Sequence, residues 1–267
     1  MEDDLIRLGL VDDDEIVLDD AALSLALLDH PGTDLAPYRD LFEAVAARLD
    51  LIGSKASTAR ERADALSSVL AGEFAFTGDR DTYDDPANAD LIRVVDRRRG
   101  LPVSLSILYV AAARKVGWSA NALDVPGHVL VLVGEEVAPV IVDPFRSGIA
   151  VERGQLAAMT TAMSPGPTVA VRHVAAMSNR AILVRLLLNQ ATRAEQAGSE
   201  RRALELYRRM TSMAPDHGHA WWERARLELI DGDVAAARTS LTAMLETTRE
   251  PGLRRRVLNT LDLLGAA

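Results

Sequence analysis

The sequence predicts an α+β domain over residues 1–172, a helical N-terminal half packed on a small antiparallel sheet, followed by an all-α domain over residues 177–267. Three observations carry this reading. Residues 20–72 place apolar side chains at helical spacing. Residues 121–148 hold two valine-rich runs around "GEE", the pattern of an antiparallel hairpin. From Met177 onward the pattern is helical throughout, and it repeats itself at a shift of 34 residues.

The elements follow in order. The opening "MEDDLIRLGLVDDDEIVLDD" holds nine carboxylates and one arginine, and reads as a solvated, partly flexible head. "DDAALSLALLDHPG" runs apolar until Pro31 ends it. "PYRDLFEAVAARLDLIG" starts at Pro37 and puts Leu41, Val45 and Leu49 on one stripe. "STARERADALSSVLAGEF" adds Leu66, Val69 and Leu70 before Gly72. A turn-rich loop, "FTGDRDTYDDPAN", leads to Asn88, which is placed to cap a short helix through Arg98, with Gly100 as its stop. An apolar helix then opens at "GLPVSLSILYV" and closes at the Gly117 turn. Beyond the hairpin, residues 149–172 are mixed, and "SPGPT" reads as a loop between domains.

In the C-terminal part, Leu187 meets Trp221 and Ala191 meets Ala225 under the 34-residue shift. Likewise Gly198 meets Gly232, Ala203 meets Ala237, Tyr207 meets Leu241 and Met210 meets Met244. Large then small residues in one helix, a glycine turn, and an Ala-x3-aromatic step in the next resemble tetratricopeptide repeats. Two repeats and a last helix, "GLRRRVLNTLDLL", make a short array whose apolar face is too small to stand alone. The expectation is that it packs on the first domain and that the last helix acts as a cap.

Composition narrows the function classes. The chain is 48% hydrophobic and 26% charged but only 4% aromatic, so its core is built from Ala, Leu, Val and Ile. A net charge of −9 argues against nucleic acid and against an anionic membrane surface. Cysteine is absent, which removes disulfides, thiolate metal sites and thiol catalysis together. The start "MEDD" shows no signal-peptide pattern, and the longest apolar run, Leu101 to Ala113, is too short for a bilayer. A cytoplasmic protein is therefore expected, with no cofactor, no metal site and a protein or peptide as partner.

The stretches "YDDPAN" (83–88), "RRRGLPVSLSILYVAAARKVG" (97–117), "VPGHVLV" (125–131) and "VDPFRSG" (142–148) resemble the transglutaminase-like superfamily, the papain-like fold of Cys-His-Asp enzymes. More narrowly they resemble its bacterial branch with C-terminal tetratricopeptide repeats, named after an invasion regulator. The resemblance implies a nucleophilic cysteine at the start of the helix that ends in Arg-x-x-Gly. Counted back from Arg114 and Gly117, that position is Pro102. Proline has no nucleophile and no amide proton, but it is an excellent first residue of a helix. The resemblance further implies that His128 is the general-base position and Asp143 the residue that orients it.

Two readings of this degenerate site follow. In one, the chain is a non-catalytic interaction or regulatory module in which His128 and Asp143 are a satisfied polar link across the hairpin. The arginines of residues 178–267, fourteen against eleven acids, would suit acidic partner segments. In the other, Ser104 or Ser106 replaces the thiol and works with His128 and Asp143 as an amide or ester hydrolase. Ser106 lies one turn past Pro102 on the same side, whereas Ser104 is about 200° round the helix. Asn88, Arg98 and Arg99 precede the pocket, and either arginine could meet a carboxylate ligand. "DHGHAWW" (216–222) reads as a turn, with Trp221 and Trp222 as packing residues, because no acidic or thiol ligand stands at metal spacing.

Overall fold

The computed structural model describes residues 2–134, 138–161 and 175–265. The expected linker at 164–168 and residues 135–136 of the expected hairpin turn lie outside the described residues. In chain order the elements are α1 (Glu2–Leu10), α2 (Leu18–Leu27), α3 (Ala36–Gly53) and α4 (Ala59–Ser67), which runs into a π-helical turn, Ser68–Glu73. Next come β1 (Thr77–Gly78), α5 (Leu91–Arg97), β2 (Arg99–Gly100), α6 (Pro102–Lys115), β3 (Ala120–Val125), β4 (His128–Val133), β5 (Val140–Asp143) and β6 (Ile149–Ala150). The rest is helical: α7 (Arg153–Thr161), α8 (Asn179–Gln196), α9 (Glu200–Met213), α10 (Gly218–Ile230), α11 (Val234–Thr247) and α12 (Pro251–Gly265). Contacts divide the chain into two compact units, residues 13–183 and residues 1–12 with 184–267.

In the first unit α6 is the central element. A helix that is apolar on all sides must be surrounded, and Pro102 through Ala113 are all buried. α2 and α3 pack against α6 from one direction, β3 and β4 from another. Each fully buried Leu or Ile there, such as Leu105 and Ile107, contributes about 1.5–3 kcal/mol. The sheet is antiparallel in the order β3-β4-β5-β6. β4 and β5 are the two valine-rich runs. β3 was not anticipated as a strand; the Pro126-Gly127 turn, with Val125 paired to His128, was the local sign of it. Leu123, Val125 and Leu130 form a second small core under Leu156 and Met159 of α7.

Two local expectations need correction. Asn88 does not cap α5: it lies in a short 3-10 turn, and Asp90 is the N-cap, accepting from Arg93 N at 3.2 Å. A fully buried amide is worth more as a cross-link than at an exposed helix end. The acidic head is not a solvated tail either. α1 is helical, Leu5 is buried, and the helix packs on α9. The buried Leu5, with Leu8 partly buried, gives the helix an apolar side to seat in spite of the charge that precedes them.

The second unit shows the 34-residue periodicity in three dimensions. Paired positions share an environment: Ala191 with Ala225, Ala203 with Ala237, Tyr207 with Leu241 and Met210 with Met244 are all buried. Gly198 and Gly232 both take positive φ, 69° and 82°, between successive helices. Trp221 and Trp222 pack against the cluster of Ala225, Ala237, Leu241, Met244 and Val257. One carboxylate, Glu228, is fully buried; Ser240 Oγ at 2.6 Å, Arg224 Nε at 2.9 Å and Arg208 Nη2 at 3.6 Å compensate it.

Candidate functional site

β4 and β5 run side by side and bring together two residues that stand 15 apart in sequence. His128 Nε2 lies 2.9 Å from Asp143 Oδ1. The Asp143 side chain is almost wholly buried, and the same oxygen accepts from Phe145 N at 3.1 Å as the cap of the turn Pro144–Arg146. Arg146 Nε stands 3.5 Å from the other carboxylate oxygen. With Nε2 held by the carboxylate, Nδ1 is the ring nitrogen left for other work, and it has no hydrogen bond among the described residues. Phe145 sets its edge against the imidazole at 6.1 Å and against Tyr83 at 5.7 Å.

The turn carrying Asp143 is clamped from several sides. Ser67 Oγ donates to Ser147 O at 2.6 Å, and Thr77 Oγ1 is 3.4 Å from Ser147 Oγ. Ser147 sits at φ 57°, a conformation an L-residue holds only when its surroundings impose it. Beneath the turn, the Tyr109 hydroxyl is buried without a hydrogen-bond partner, and a β-carbon at Gly148 would stand 2.8 Å from it. Burial, and then the charge of Asp143, push the Tyr109 phenol well above its ordinary pKa.

The helix start has a different character. α6 begins at Pro102, whose side chain is buried, and Leu101 ahead of it supplies no side-chain cap. Ser104 Oγ donates to Asn88 O at 2.8 Å; Ser106 Oγ donates to Val129 O at 3.4 Å. Both side chains are fully buried. A hydroxyl has one proton, so each serine has given to a backbone carbonyl the proton an imidazole would take.

Asn88 is the knot of this region. Its Nδ2 donates to Thr82 O at 2.6 Å, its Oδ1 accepts from Arg97 Nη1 at 3.3 Å, and its carbonyl accepts from both Leu101 N and Ser104 Oγ. Arg98, at φ 57°, lays its half-buried guanidinium over the Phe76 ring at 4.7 Å, and burial lowers its pKa. Its Nη1 is buried with no partner. Arg99 is exposed and paired with Asp81 at 3.1 Å.

The arginine the sequence reading passed over is Arg97, which reaches Asp79 at 2.8 Å. Burial alone would raise the Asp79 carboxyl, but hydrogen bonds from Thr82, with Asn88 and Arg97 beside it, bring it down to about 2. No short motif announces that pair. At the far end of α6, Arg114 clamps Ala120 O, Asn121 and Asn179.

Comparison with known proteins agrees with this geometry. The sequence profile described as the transglutaminase-like superfamily matches residues 37–188. A UPF0162 protein of Xylella fastidiosa is 28% identical over 243 residues, covering 90% of this chain and 86% of its own length. A UPF0162 protein of Vibrio cholerae is 27% identical over 179 residues, 66% of each chain. Human F-box only protein 21 is 36% identical over 67 residues, 25% of this chain and 11% of that protein. Among the described residues, no helix is long and apolar enough to cross a membrane.

Proposed function

This chain belongs to the transglutaminase-like superfamily, and from that premise we propose that it is a non-catalytic member, a cytoplasmic protein-interaction or regulatory module. The observation that carries the reading is the commitment of both candidate hydroxyls to backbone carbonyls, at a helix start that holds proline and in a chain without cysteine. A base without a nucleophile performs no acyl transfer. His128 and Asp143 then serve as a cross-strand polar link, with Nδ1 left as the acceptor to which a hydrogen-bond donor of a ligand could turn.

The second unit supplies the partner surface. The equivalent burial of residues 34 apart and the paired glycine turns support two tetratricopeptide repeats closed by α12, as in the bacterial branch that the motifs resemble. Arginines on these helices suit acidic segments of a partner.

One observation favours the second reading, a serine hydrolase. The Ser106 donation is long, 3.4 Å, and ends on Val129, next to His128. A fluorophosphonate probe separates the two. The expected outcome is no labelling of the full chain; labelling of one serine that disappears in His128→Ala establishes the hydrolase.

A further inference from the structure

Away from the hairpin, the first unit holds a carboxylate that the fold only half satisfies. Asp19 lies in the first turn of α2, and its side chain is 6% exposed. Its Oδ2 faces Lys115 Nζ at 3.4 Å. Its Oδ1 is buried and has no hydrogen bond among the described residues. A buried carboxylate oxygen without a donor is strongly unfavourable, so a native fold supplies one.

Asp19 lines a cavity of about 10 Å³. The walls are otherwise apolar, from Phe42 and Val45 of α3, Leu70 of the π-helical turn, Phe76, and Leu108 of α6. Lys115, the last residue of α6, borders the same space. An ammonium group carries three N–H donors. One of them meets Glu43 Oε1 at 2.7 Å, a full charge-assisted bond. The approach to Asp19 Oδ2 is longer than the roughly 2.7–2.9 Å of such a bond. One cavity therefore has on its lining a carboxylate with an acceptor to spare and an ammonium with a donor to spare.

We propose that this cavity is a binding site for a single water molecule, which donates to Asp19 Oδ1 and accepts from Lys115 Nζ. Size selects the ligand, because about 10 Å³ is the room one water needs and is too little for an organic molecule. Charge selects it as well. A cation there would meet Lys115 and an anion would meet Asp19, whereas a neutral molecule that both donates and accepts suits the two together. The bound water completes a chain from Asp19 through Lys115 to Glu43, and so ties α2, α6 and α3 to one another. Each end is also well placed on its own helix, a carboxylate at the N-terminus of α2 and a cation at the C-terminus of α6. The site shares no lining residue with the His128–Asp143 pair and stands whether or not the protein is catalytic.

The test uses crystals of the full chain at atomic resolution. One ordered water is expected within about 3 Å of both Asp19 Oδ1 and Lys115 Nζ. In solution the same water is read by cross-relaxation between water protons and the methyl groups of Val45 and Ala112, which line the cavity. Asp19→Asn keeps an acceptor and should keep the water. Asp19→Leu should weaken the methyl signals at least tenfold. Lys115→Met, which leaves the water one polar partner, should remove it from the crystal and serves as the second variant should Asp19→Leu misfold. A dry cavity, a protein donor bonded directly to Oδ1, loss of the water in Asp19→Asn, or its persistence in Asp19→Leu or Lys115→Met overturns the proposal.

Discussion

At the start of α6 both serine hydroxyls near Pro102 are committed to backbone carbonyls, whereas on the hairpin the imidazole of His128 keeps Nδ1 free beside a buried carboxylate. The two sides face different constraints. A helix start inside a core must satisfy each donor locally, because an unpaired buried group costs about 1–3 kcal/mol. Ser104 meets that demand by tying α6 to Asn88. The His128 side chain keeps some exposure, 16%, where the two serines have none, so its ring nitrogen escapes the full cost of an unpaired buried group. A hydrolase-like arrangement thus persists on the side where keeping it is cheap.

Perturbing the buried knot should sharpen this contrast most. Asn88→Ala removes partners from Thr82 O and Arg97 together at a fully buried position, and should destabilise the first unit by about 2–4 kcal/mol. Urea unfolding measures it; a loss below about 1 kcal/mol would mean that Asn88 is not the keystone.

A smaller effect is expected at Asp79. Its carboxyl lies at about 2 in the fold, below the ordinary value of 3.8. The unfolded chain therefore binds the proton more readily, so the stabilisation is complete above about pH 4 and is lost as the pH falls through about 2. Solvent reaches the partly exposed Arg97 and trims the term, which leaves on the order of 1–2 kcal/mol. Asp79→Asn should lose this amount at pH 7, and its stability curve should converge with that of the wild type in acid. Parallel curves would exclude the carboxylate as the cause.

The least effect belongs to Pro102→Ala, because α6 continues to start at that residue whether or not the ring presets φ. A loss of less than about 1 kcal/mol is expected by thermal unfolding. Outright unfolding would show that the buried ring carries packing beyond its part in starting the helix.

Much of the architecture was legible in short stretches. Pro102 and Gly117 bracket α6, the valine runs became β4 and β5, and the 34-residue shift aligned buried residue with buried residue except at Leu187 and the partly buried Trp221. The pairing of His128 with Asp143 was legible only through the family resemblance, since nothing in local spacing connects them. The Asn88 cap failed because a good cap residue is also a good buried cross-link, and the sequence around it does not say which demand prevails. The π-helical turn after α4 and the strained Ser147 had no local signal at all.

By itself the sequence determined where most of the helices and the two valine-rich strands form, that no thiol is available, and that a proline opens the most apolar helix. These are consequences of local periodicity, conformational preference and composition, which a few neighbouring residues fix. Only the tertiary structure decided which carbonyls would take the protons of Ser104 and Ser106, that Arg97 and not its neighbours would find Asp79, and that α1 would settle on α9. Those are choices among distant partners, and they are made by closure of the chain around a core that admits few unpaired polar groups.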